Sequence, residues 1–452
     1  MSLPAPRETC TLPRRGGARR GGAGRGGGCG PAERYGAVVD NAARLTVIGS
    51  LNMDISVTVP SLPGPGATVL GRAAVFAPGG KGANQAVAAA RLGGEGLSVA
   101  MIGCTGDDDF GRTLRAALRA EGVDDSAVRT VAGVPTGIAM ITVDQAGENI
   151  ITVAPGANAE LSVADVTDAA AASSAAGANR EVSVADVTDA AAASSTAGAE
   201  PERTVPDHAR PAAASSSGKR AASAVLVISA EVPVPAISAA LAASAGRALR
   251  VLNLAPAPPE AAELVAARPD WLVVNESEAA AVLDRPVSGL TEAAAAAADL
   301  VAAGAVNAVV TAGAAGAAYC GPENPDDRPG PQTGDDRPGP PAAVDGPLGP
   351  QTAAGHGLRE ADGGGHSAGA GDGKPVVVTV PGFKVQATDT VGAGDTFVGA
   401  LAVALAAGIG PVDAVTAASA AGATAATRPG TQSGMPRPAD VLAVTGHRWP
   451  LP

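Results

Sequence analysis

The feature that most constrains this chain is a repeated alternation of short apolar runs with longer stretches rich in helix-forming residues. Short, wholly apolar runs are typical of strands covered on both faces, and a helix between two such strands allows them to lie parallel. The pattern therefore predicts an α/β fold with a mainly parallel sheet and helices on both faces. The predicted buried strands are 45–50, 98–103, 224–229, 250–255, 271–275 and 307–311, and the predicted helices are 83–92, 111–121, 236–247, 276–283, 292–303, 395–407 and 412–427.

Three further segments have a different pattern. Polar and apolar residues alternate in "DISVTV" (54–59), and two more strand-like segments, "TGIAMITVD" (136–144) and "NIITVAP" (149–155), are joined by "QAGE". Alternation of this kind is typical of a strand with one face in water. We expect these segments to form a small sheet that is separate from the main core.

Several regions differ in composition from the rest of the chain. Residues 1–44 are rich in Arg and Gly and poor in apolar residues, which predicts disorder. Residues 161–223 contain a tandem duplication in an Ala/Ser/Pro-rich tract, and residues 320–374 are dense in Pro and Gly, so both are interpreted as surface inserts. The remaining segments are a domain built from residues 45–160 and 224–440 and a C-terminal tail at 441–452.

Composition argues against several classes of function. The net charge is −12 and the pI is near 4.9, which disfavours a nucleic-acid-binding surface. No apolar run reaches the ~20 residues of a membrane span, and the N-terminus lacks the apolar core of a secretory signal. The four cysteines lack C-x-x-C spacing, and the four histidines lie in the inserts or near the C-terminus. These features predict a cytoplasmic protein without a disulfide framework, histidine-based catalysis, a zinc site, or a membrane or nucleic-acid partner.

Two glycine loops are candidate ligand sites. "GAGDTF" does not match the dinucleotide fingerprint because Phe397 occupies the third glycine position, and "GGKGAN" does not match a P-loop because Gly82 follows Lys81. The first loop leads directly into an apolar helix, so the backbone N–H groups of residues 393–395 would favour an anion. Asp395 would then be either an ordinary first-turn residue or a general base beside a transferring phosphoryl group.

Seven motifs, taken in order, resemble the ribokinase family of carbohydrate kinases. They are "GSLNMD", "GGKGANQAVAAARLG", "IGCTGDDDFG", "TGIAMITVDQAGENIITVAPGAN", "LNLAPA", "NESEA" and "DTVGAGDTFVGAL". The resemblance covers residues 45–160 and 224–440. It implies a three-layer α/β/α ribokinase-like fold with a small β-sheet lid, ATP-dependent phosphorylation of D-ribose at O5, and a homodimer formed through the lid.

The resemblance also implies roles at the sugar site. Asp395 matches the catalytic base that takes the proton from the primary hydroxyl of the sugar, and the N–H groups of residues 393–395 match the anion hole. Glu231, directly after strand 224–229, matches a sugar ligand, with an ordinary surface glutamate as the alternative. The residues implied to bind the sugar are Asn52, Asp54, Gly80, Lys81, Gly82, Ala83, Asn84 and Glu231.

At the nucleotide site, the resemblance implies mainly backbone contacts. "NESE" matches an Asn-x-x-Glu pair that orients the hydration shell of Mg²⁺. A site with so few protein ligands suits this ion, which keeps several of its waters. The loop "TAGAAG" has Ala314 and Ala315 where the family often has a polar side chain. The residues implied to bind ATP are Asn275, Glu278, Thr311, Gly313, Gly316, Ala393, Gly394 and Ser419.

A further implied site would hold K⁺ as an activating cation beside the anion hole. An all-oxygen cage with one carboxylate suits a hard cation. By strict spacing the family's final ligand falls at Gly434, one position from Ser433. The alternative is that Asp389 merely caps its turn. The implied ligands are Asp389, Val391, Ala425, Arg428, Gly430 and Ser433.

Three alternatives to a ribose kinase stay open from the sequence. A kinase of the same family could act on deoxyribose, adenosine or another sugar, because the sugar loops differ by single residues. A non-catalytic sugar-binding protein would not need Asp395. A dehydrogenase would need the glycine fingerprint that this chain lacks.

Overall fold

The computed structural model describes residues 43–146, 148–167, 224–322, 359–360 and 375–451. The disorder expected for the N-terminal extension, and most of both expected inserts, fall outside these described residues. Within the described ranges, no helix is long and apolar enough to cross a membrane.

Ten strands, numbered in chain order, form the main sheet. They are β1 (Ala43–Ile48), β4 (Leu97–Gly106), β5 (Val128–Val131), β8 (Ala224–Ser229), β9 (Leu249–Asn253), β10 (Trp271–Asn275), β11 (Ala308–Thr311), β12 (Gly316–Gly321), β13 (Arg359–Glu360) and β14 (Val376–Pro381). Their order across the sheet is β13-β14-β12-β11-β10-β9-β8-β1-β4-β5. Neighbours are parallel except on the two sides of β12, where the pairing is antiparallel.

Helices cover both faces of this sheet. Along β8, Val225 and Val227 join one buried cluster while Leu226 and Ile228 join the other, as a strand buried on both faces requires. The helices are α1 (Lys81–Gly93), α2 (Asp109–Ala120), α3 (Val234–Ala243), α4 (Ala261–Ala266), α5 (Glu276–Leu283), α6 (Gly289–Ala302), α7 (Ala393–Ala406), α8 (Pro411–Ala426), α9 (Thr431–Gly434) and α10 (Pro438–Thr445). The first buried cluster includes residues of α1, α2, α7, α8 and α10, and the second includes residues of α3 to α6, which gives three layers.

A second sheet of four strands forms the lid. Its strands are β2 (Asn52–Thr58), β3 (Val75–Gly79), β6 (Gly137–Val143) and β7 (Asn149–Ala154), in the order β3-β2-β6-β7. In the register of β2 with its neighbours, Ile55 lies opposite Phe76 and Met140, so these three side chains share one face of the lid. The opposite face, which carries Asp54, is turned towards the main domain.

The structure confirms the predicted α/β fold, each predicted strand and helix, and the separate small sheet. Strands β3, β5, β12, β13 and β14 and helices α4, α9 and α10 were not predicted. β12 has the sequence "GAAYCG", in which Tyr319 is the one strand-favouring residue, so neither propensity nor alternation is strong enough to predict a strand.

Three expected boundaries differ from the structure. Cys320 belongs to β12 and is buried, so the second insert begins after this strand and not at residue 320. Val166 is fully buried, so packing continues into the start of the first insert. The expected tail from residue 441 is also packed, since α10 runs through 441 and the buried Trp449 donates from Nε1 to Leu92 O at 2.9 Å.

Candidate active site

A pocket lies between the lid and the ends of the central strands of the main sheet. The carboxyl ends of parallel strands lie at one edge of a sheet, so the residues that follow β1, β8, β9 and β10 meet there. Side chains of the inner lid face close the pocket from above. Its lining includes Asn52, Asp54, Gly80, Lys81, Asn84, Ala139, Ile141, Asn149, Ile151, Val153, Glu231, Asn253, Asn275, Glu278, Thr311, Thr390, Val391, Gly392, Gly394, Asp395 and Thr431.

Glu231 is the centre of a polar cluster in this pocket. It follows β8 and accepts hydrogen bonds from Ser50 Oγ, from Asn52 Nδ2 at 3.2 Å and from Lys81 Nζ at 3.2 Å. The Lys81 backbone N–H also points at this carboxylate, at 3.4 Å. The pKa of Lys81 is raised: burial acts to lower it, but the nearby Glu231 and Asp395 carboxylates outweigh that effect. The predicted alternative of an ordinary surface glutamate is wrong, because the Glu231 side chain is only 12% exposed.

Asn158 fixes the orientation of Asn52. Asn158 Nδ2 donates to Asn52 Oδ1 at 2.8 Å, which leaves the Asn52 Nδ2 group as the donor to Glu231. Asn158 is itself held through Leu51, whose N–H donates to Asn158 Oδ1 at 2.9 Å. Asn52 is 1% exposed, so these contacts satisfy a buried amide that would otherwise cost stability.

Asp54 lies on β2 above the glycine loop. A Cβ at Gly79 would overlap the Asp54 carboxylate, so the first glycine of "GGKGAN" provides the room for this side chain. The second, Gly80, has φ of 90°, and a Cβ there would lie 2.6 Å from the Asn52 N atom. Burial, reinforced by the charges of Glu231 and Asp395, raises the pKa of Asp54 to about 7.

Asp395 lies in the first turn of α7 and contacts α1. A Cβ at Gly399 would lie 2.7 Å from Gln85 O, and this close approach of the two helices brings Asp395 to the start of α1. Asn84 Nδ2 donates to Asp395 Oδ2 at 2.8 Å, and Gln85 Nε2 donates to Oδ1 at 3.3 Å. Burial raises the pKa of Asp395 to about 6, against the lowering effect of Lys81 and the two amides.

The start of α7 leaves room for an anion. Gly392 is the left-handed residue before the helix, with φ of 78°, and a Cβ there would lie 2.8 Å from Thr431 Cγ2. A Cβ at Gly394 would meet nothing within 4 Å. The Ala393 N–H donates to Thr390 O at 3.2 Å, so the donors left facing the pocket by helix geometry are those of Gly394 and Asp395.

Asn275 and Glu278, which are predicted to bind ATP, form a reciprocal capping box at the start of α5. Asn275 Oδ1 accepts from the Glu278 N–H, and Glu278 Oε2 accepts from the Asn275 N–H, each at 2.9 Å. Burial raises the pKa of Glu278, with Asp395 adding to the effect. No group of three or more His, Cys, Asp or Glu side chains suited to a metal ion occurs among the described residues.

The loops predicted to bind K⁺ are joined by Asp389. Its Oδ1 accepts from the Val391 N–H at 3.0 Å and its Oδ2 from the Gly430 N–H at 2.9 Å. A Cβ at Gly434 would lie 3.2 Å from Arg428 O and 3.6 Å from Ala425 O, so these two carbonyls approach the same space. Ser433 instead donates to Pro429 O at 3.1 Å.

The structure brings many of the predicted residues to one pocket but not all of them. Gly82 packs α1 against the end of β1, where a Cβ would lie 2.6 Å from the Gly49 carbonyl carbon, and Ala83 is buried beside it. Ser419 Oγ is buried on α8 without a hydrogen-bond partner in the described part of the chain. Predicted residues outside the lining are Gly82, Ala83, Gly313, Gly316, Ala393, Ser419, Asp389, Ala425, Arg428, Gly430 and Ser433.

Sequence reasoning missed residues that orient the pocket side chains. Asn158 closes the quoted motif "APGAN", and Gln85 follows Asn84 in "GGKGANQ", so both were within recognised motifs without being singled out. Gln85 Nε2 also donates to Asn253 Oδ1 at 2.9 Å. Gln432 lies between two predicted cation ligands, and only the folded chain brings it to Asn84.

The profile of the pfkB family carbohydrate kinases matches residues 42–214, 207–332 and 370–438. The chain is 48% identical over 118 residues to the ribokinase of Haemophilus influenzae, which is 26% of this chain and 38% of that protein. It is 44% identical over 120 residues to the ribokinase of Bacillus subtilis, which is 26% of this chain and 40% of that protein. These relatives are therefore matched over about two fifths of their length.

Solved structures share the fold of this chain over most of its length. The crystal structure of the Thermotoga maritima ribokinase superposes with a TM-score of 0.57 at 26% identity, over 89% of this chain and 98% of that one. The Arabidopsis thaliana ribokinase complexed with ribose and ATP shares the fold, with a TM-score of 0.57 at 22% identity over 89% of this chain and 98% of that one. Because the family profile spans well over half of its residues, the chain belongs to the pfkB family of carbohydrate kinases.

Proposed function

We propose that this protein phosphorylates D-ribose at O5 with ATP, giving ribose 5-phosphate and ADP. One observation carries the proposal: Asp395, at the N-terminus of α7, lies in the same pocket as the Asn52, Asp54, Lys81 and Glu231 cluster. A carboxylate beside an anion-binding helix end suits proton removal from a hydroxyl that attacks a phosphoryl group. The matched relatives in Haemophilus and Bacillus are named ribokinases, which supports ribose as the acceptor.

In this mechanism Asp395 is the general base. It takes the proton from the primary hydroxyl of the sugar as that oxygen attacks the γ-phosphorus of ATP, and ADP leaves. A pKa near 6 keeps the carboxylate ionised at neutral pH while making it a stronger base than an ordinary aspartate. The N–H groups of Gly394 and Asp395 stabilise the charge that develops on the phosphoryl oxygens, worth ~3 kcal/mol for each donor.

The polar cluster would hold the sugar in position for this attack. Asp54 and Glu231 accept hydrogen bonds from hydroxyl groups, and Lys81 and Asn52 donate to them. The Glu231 carboxylate is already fixed by Ser50, Asn52 and Lys81, so little side-chain entropy is lost when a sugar binds. A preorganised cluster of this kind holds the primary hydroxyl close to Asp395.

Mg²⁺ would enter with ATP. The capping box uses Oε2 of Glu278, a residue that also lines the pocket, so its second carboxylate oxygen is not needed for the cap. One such oxygen fits an ion that keeps most of its water ligands and is held chiefly by phosphates. When bound, Mg²⁺ neutralises phosphate charge, and Asn275 and Glu278 would orient its water shell.

K⁺ is the proposed activating cation, held by Asp389 and by carbonyl groups of Val391, Ala425, Arg428 and Gly430. The approach of the Ala425 and Arg428 carbonyls at Gly434 supports this assignment, because a side chain at that position would fill the space. Ser433 contributes less than expected, since its hydroxyl already donates to Pro429 O. When bound, K⁺ would supply a hard cation that fixes the conformation of the loop leading to α7.

We also propose a homodimer formed through the lid. The lid face that points away from the pocket exposes Phe76, Met140 and Ile150 by 57%, 56% and 48%, which supports such an interface. A cytoplasmic location is expected for an enzyme that uses ATP.

A nucleoside such as adenosine is the second candidate acceptor, because the apolar Ile151 and Val153 also line the pocket and suit a base.

The test is ADP release measured by a coupled assay over a panel of pentoses, hexoses, deoxyribose and nucleosides. The proposal predicts the highest kcat/KM for D-ribose and no measurable turnover without an acceptor. A preference for adenosine would favour the second candidate. Failure to release ADP with any acceptor would contradict kinase activity altogether.

A further inference from the structure

Asn84 is hydrogen-bonded at both ends of its amide. Its Nδ2 donates to Asp395 Oδ2 at 2.8 Å, and its Oδ1 accepts from Gln432 Nε2 at 3.1 Å. A primary amide is nearly symmetric in shape, so rotation by half a turn would exchange the donor and the acceptor. Only one of the two orientations presents an N–H group to the carboxylate, and in that orientation Asn84 Oδ1 accepts the hydrogen bond that Gln432 Nε2 donates.

Gln432 is held in turn by Arg91 near the end of α1. Arg91 Nη1 donates to Gln432 O at 2.6 Å and to Met435 O at 2.9 Å. Arg91 Nε donates to Glu121 Oε2 at 2.9 Å, and the Arg91 side chain is 14% exposed. The backbone of α9 is thereby fixed against the same helix that carries Asn84 at its start.

We propose that Gln432 is a positioning residue for the catalytic base: its amide sets the orientation of Asn84, and Asn84 in turn holds Asp395. This inference rests on the proposed function, in which Asp395 takes a proton from the sugar. Gln432 does not touch the substrate in this account. Its effect depends on hydrogen-bond direction and not only on the volume that it fills.

Two substitutions separate direction from volume. Gln432→Glu keeps the shape but places an acceptor at the position of the donor, so Asn84 turns its Nδ2 group towards residue 432 and its Oδ1 towards Asp395. We expect kcat to fall about 10²-fold, because an oxygen then faces the carboxylate. Gln432→Met keeps a similar length without donor or acceptor, which frees Asn84 to rotate, and kcat should fall about threefold to tenfold.

The pH profile gives a second measurement that a packing role would not change. The charged groups that face Asp395 are Lys81, Glu231, Asp54 and Glu278. Gln432→Met leaves this set unchanged, whereas Gln432→Glu adds a carboxylate that itself raises the pKa of Asp395, so Gln432→Met is the variant that isolates the effect of Asn84. Turning Asn84 removes a hydrogen bond that lowers the pKa of Asp395. The acidic limb of kcat/KM should therefore move to higher pH in Gln432→Glu and less so in Gln432→Met, while the KM for ATP stays within about twofold.

The experiment compares the wild type, the two variants and Gln145→Glu, which makes the same chemical change in the exposed turn of the lid hairpin. Inactive wild-type protein would contradict the proposed function. With active wild type and an unaffected Gln145→Glu control, the ranking wild type, then Met, then Glu supports the positioning role. Equal losses in the two variants, whatever their thermal stability, or kcat within twofold of wild type in both, would overturn it.

Discussion

The two ends of the pocket, proposed to take the sugar acceptor and the nucleotide, are built in different ways. At the acceptor end, Ser50, Asn52 and Lys81 donate hydrogen bonds to Glu231, and Asn158 orients Asn52. At the nucleotide end, Asn275, Glu278 and Thr311 line the pocket, and the turn from Gly313 to Ala315, which lies outside the lining, carries no polar side chain. We therefore propose that polar side chains recognise the sugar at the first end, and that backbone groups make a larger share of the contacts with the nucleotide at the second.

This difference has an electrostatic consequence. Burial at the acceptor end, with a smaller contribution from neighbouring carboxylates, raises the pKa values of Asp54 and Asp395 to about 7 and about 6. Substitutions there should change both rate and pH dependence. At the nucleotide end, changes should act on the KM for ATP and leave the sugar parameters alone.

The largest effect is expected for Asp395→Asn at the meeting point of the two ends. The substitution keeps the shape and one oxygen that can accept from Asn84 Nδ2, but it removes the proton acceptor. We expect kcat to fall by at least ~10², as for loss of a general base, with the Kd of ribose by calorimetry changed less than about threefold. Near-normal kcat in a correctly folded variant would show that another group removes the proton.

The pH dependence should follow the raised pKa values of the acceptor end. A required carboxylate with a pKa near 6 gives a kcat/KM that falls about tenfold for each pH unit below it. Steady-state rates between pH 5 and 9 should therefore show an acidic limb between 6 and 7. A limb near pH 4, where an ordinary aspartate titrates, would contradict this electrostatic account.

The same shift predicts a change in stability. Because the folded-state pKa of Asp395 lies above its unfolded value, its stabilising contribution is complete at low pH and is lost as the pH rises from about 4 to about 6. Asp395→Asn should therefore gain in Tm relative to wild type on going from pH 5 to pH 8. A Tm difference that is equal at the two values would argue that Asp395 is not held in an unfavourable charged state.

Gly79→Ala should affect only the acceptor end. The new methyl group would overlap the Asp54 carboxylate and displace it, so kcat/KM for ribose should fall about tenfold or more while the KM for ATP stays within about twofold. Gly64→Ala is the matched control, because a Cβ at that position in the lid loop meets nothing within 4 Å. Equal losses for both substrates would mean that the two ends are coupled more closely than proposed.

Potassium should change kcat/KM less than these substitutions do, since its proposed site lies at the loop that leads to α7 and mostly outside the pocket lining. Millimolar K⁺ should raise kcat/KM several-fold over Tris-only buffer with Mg²⁺ present, and Na⁺ should do less. Asp389→Ala should abolish the difference, because its carboxylate joins the two cation loops. Equal rates with and without K⁺ in dialysed wild-type enzyme would leave Asp389 as a turn cap only.

The smallest effects are expected for removal of the two inserts. Deletion of residues 179–199 should leave kcat and both KM values near those of wild type. Shortening of 326–372 should do the same for ribose, with at most a modest shift in the KM for ATP, because this insert follows the strand after the nucleotide turn. A folded but inactive deletion variant would show that these segments contribute to the site.

The contrast between the two ends also explains how much could be read from the sequence. Asn52, Asp54, Lys81 and Asp395 stand in distinctive motifs, so the sequence could identify them, and the structure places them in one pocket. Gly79 and Asn158 act through fit and orientation, which depend on neighbours far away in the chain. Gln432 and Asn84 are 348 residues apart, so no local pattern could relate them. β12 was missed for a related reason, since its alanines and glycines form a strand only because β11 and β14 pair with it.

The most direct test of the central claim is the proton-coupled ³¹P NMR spectrum of the product formed from D-ribose and ATP. Attack by the primary hydroxyl places phosphate on a carbon with two protons, so the account predicts one equivalent of ADP and a triplet for the sugar phosphate. A doublet would place the phosphate on a carbon with a single proton. That result, or consumption of ATP without a sugar phosphate, would contradict the assignment of Asp395 as the base that activates the primary hydroxyl of ribose.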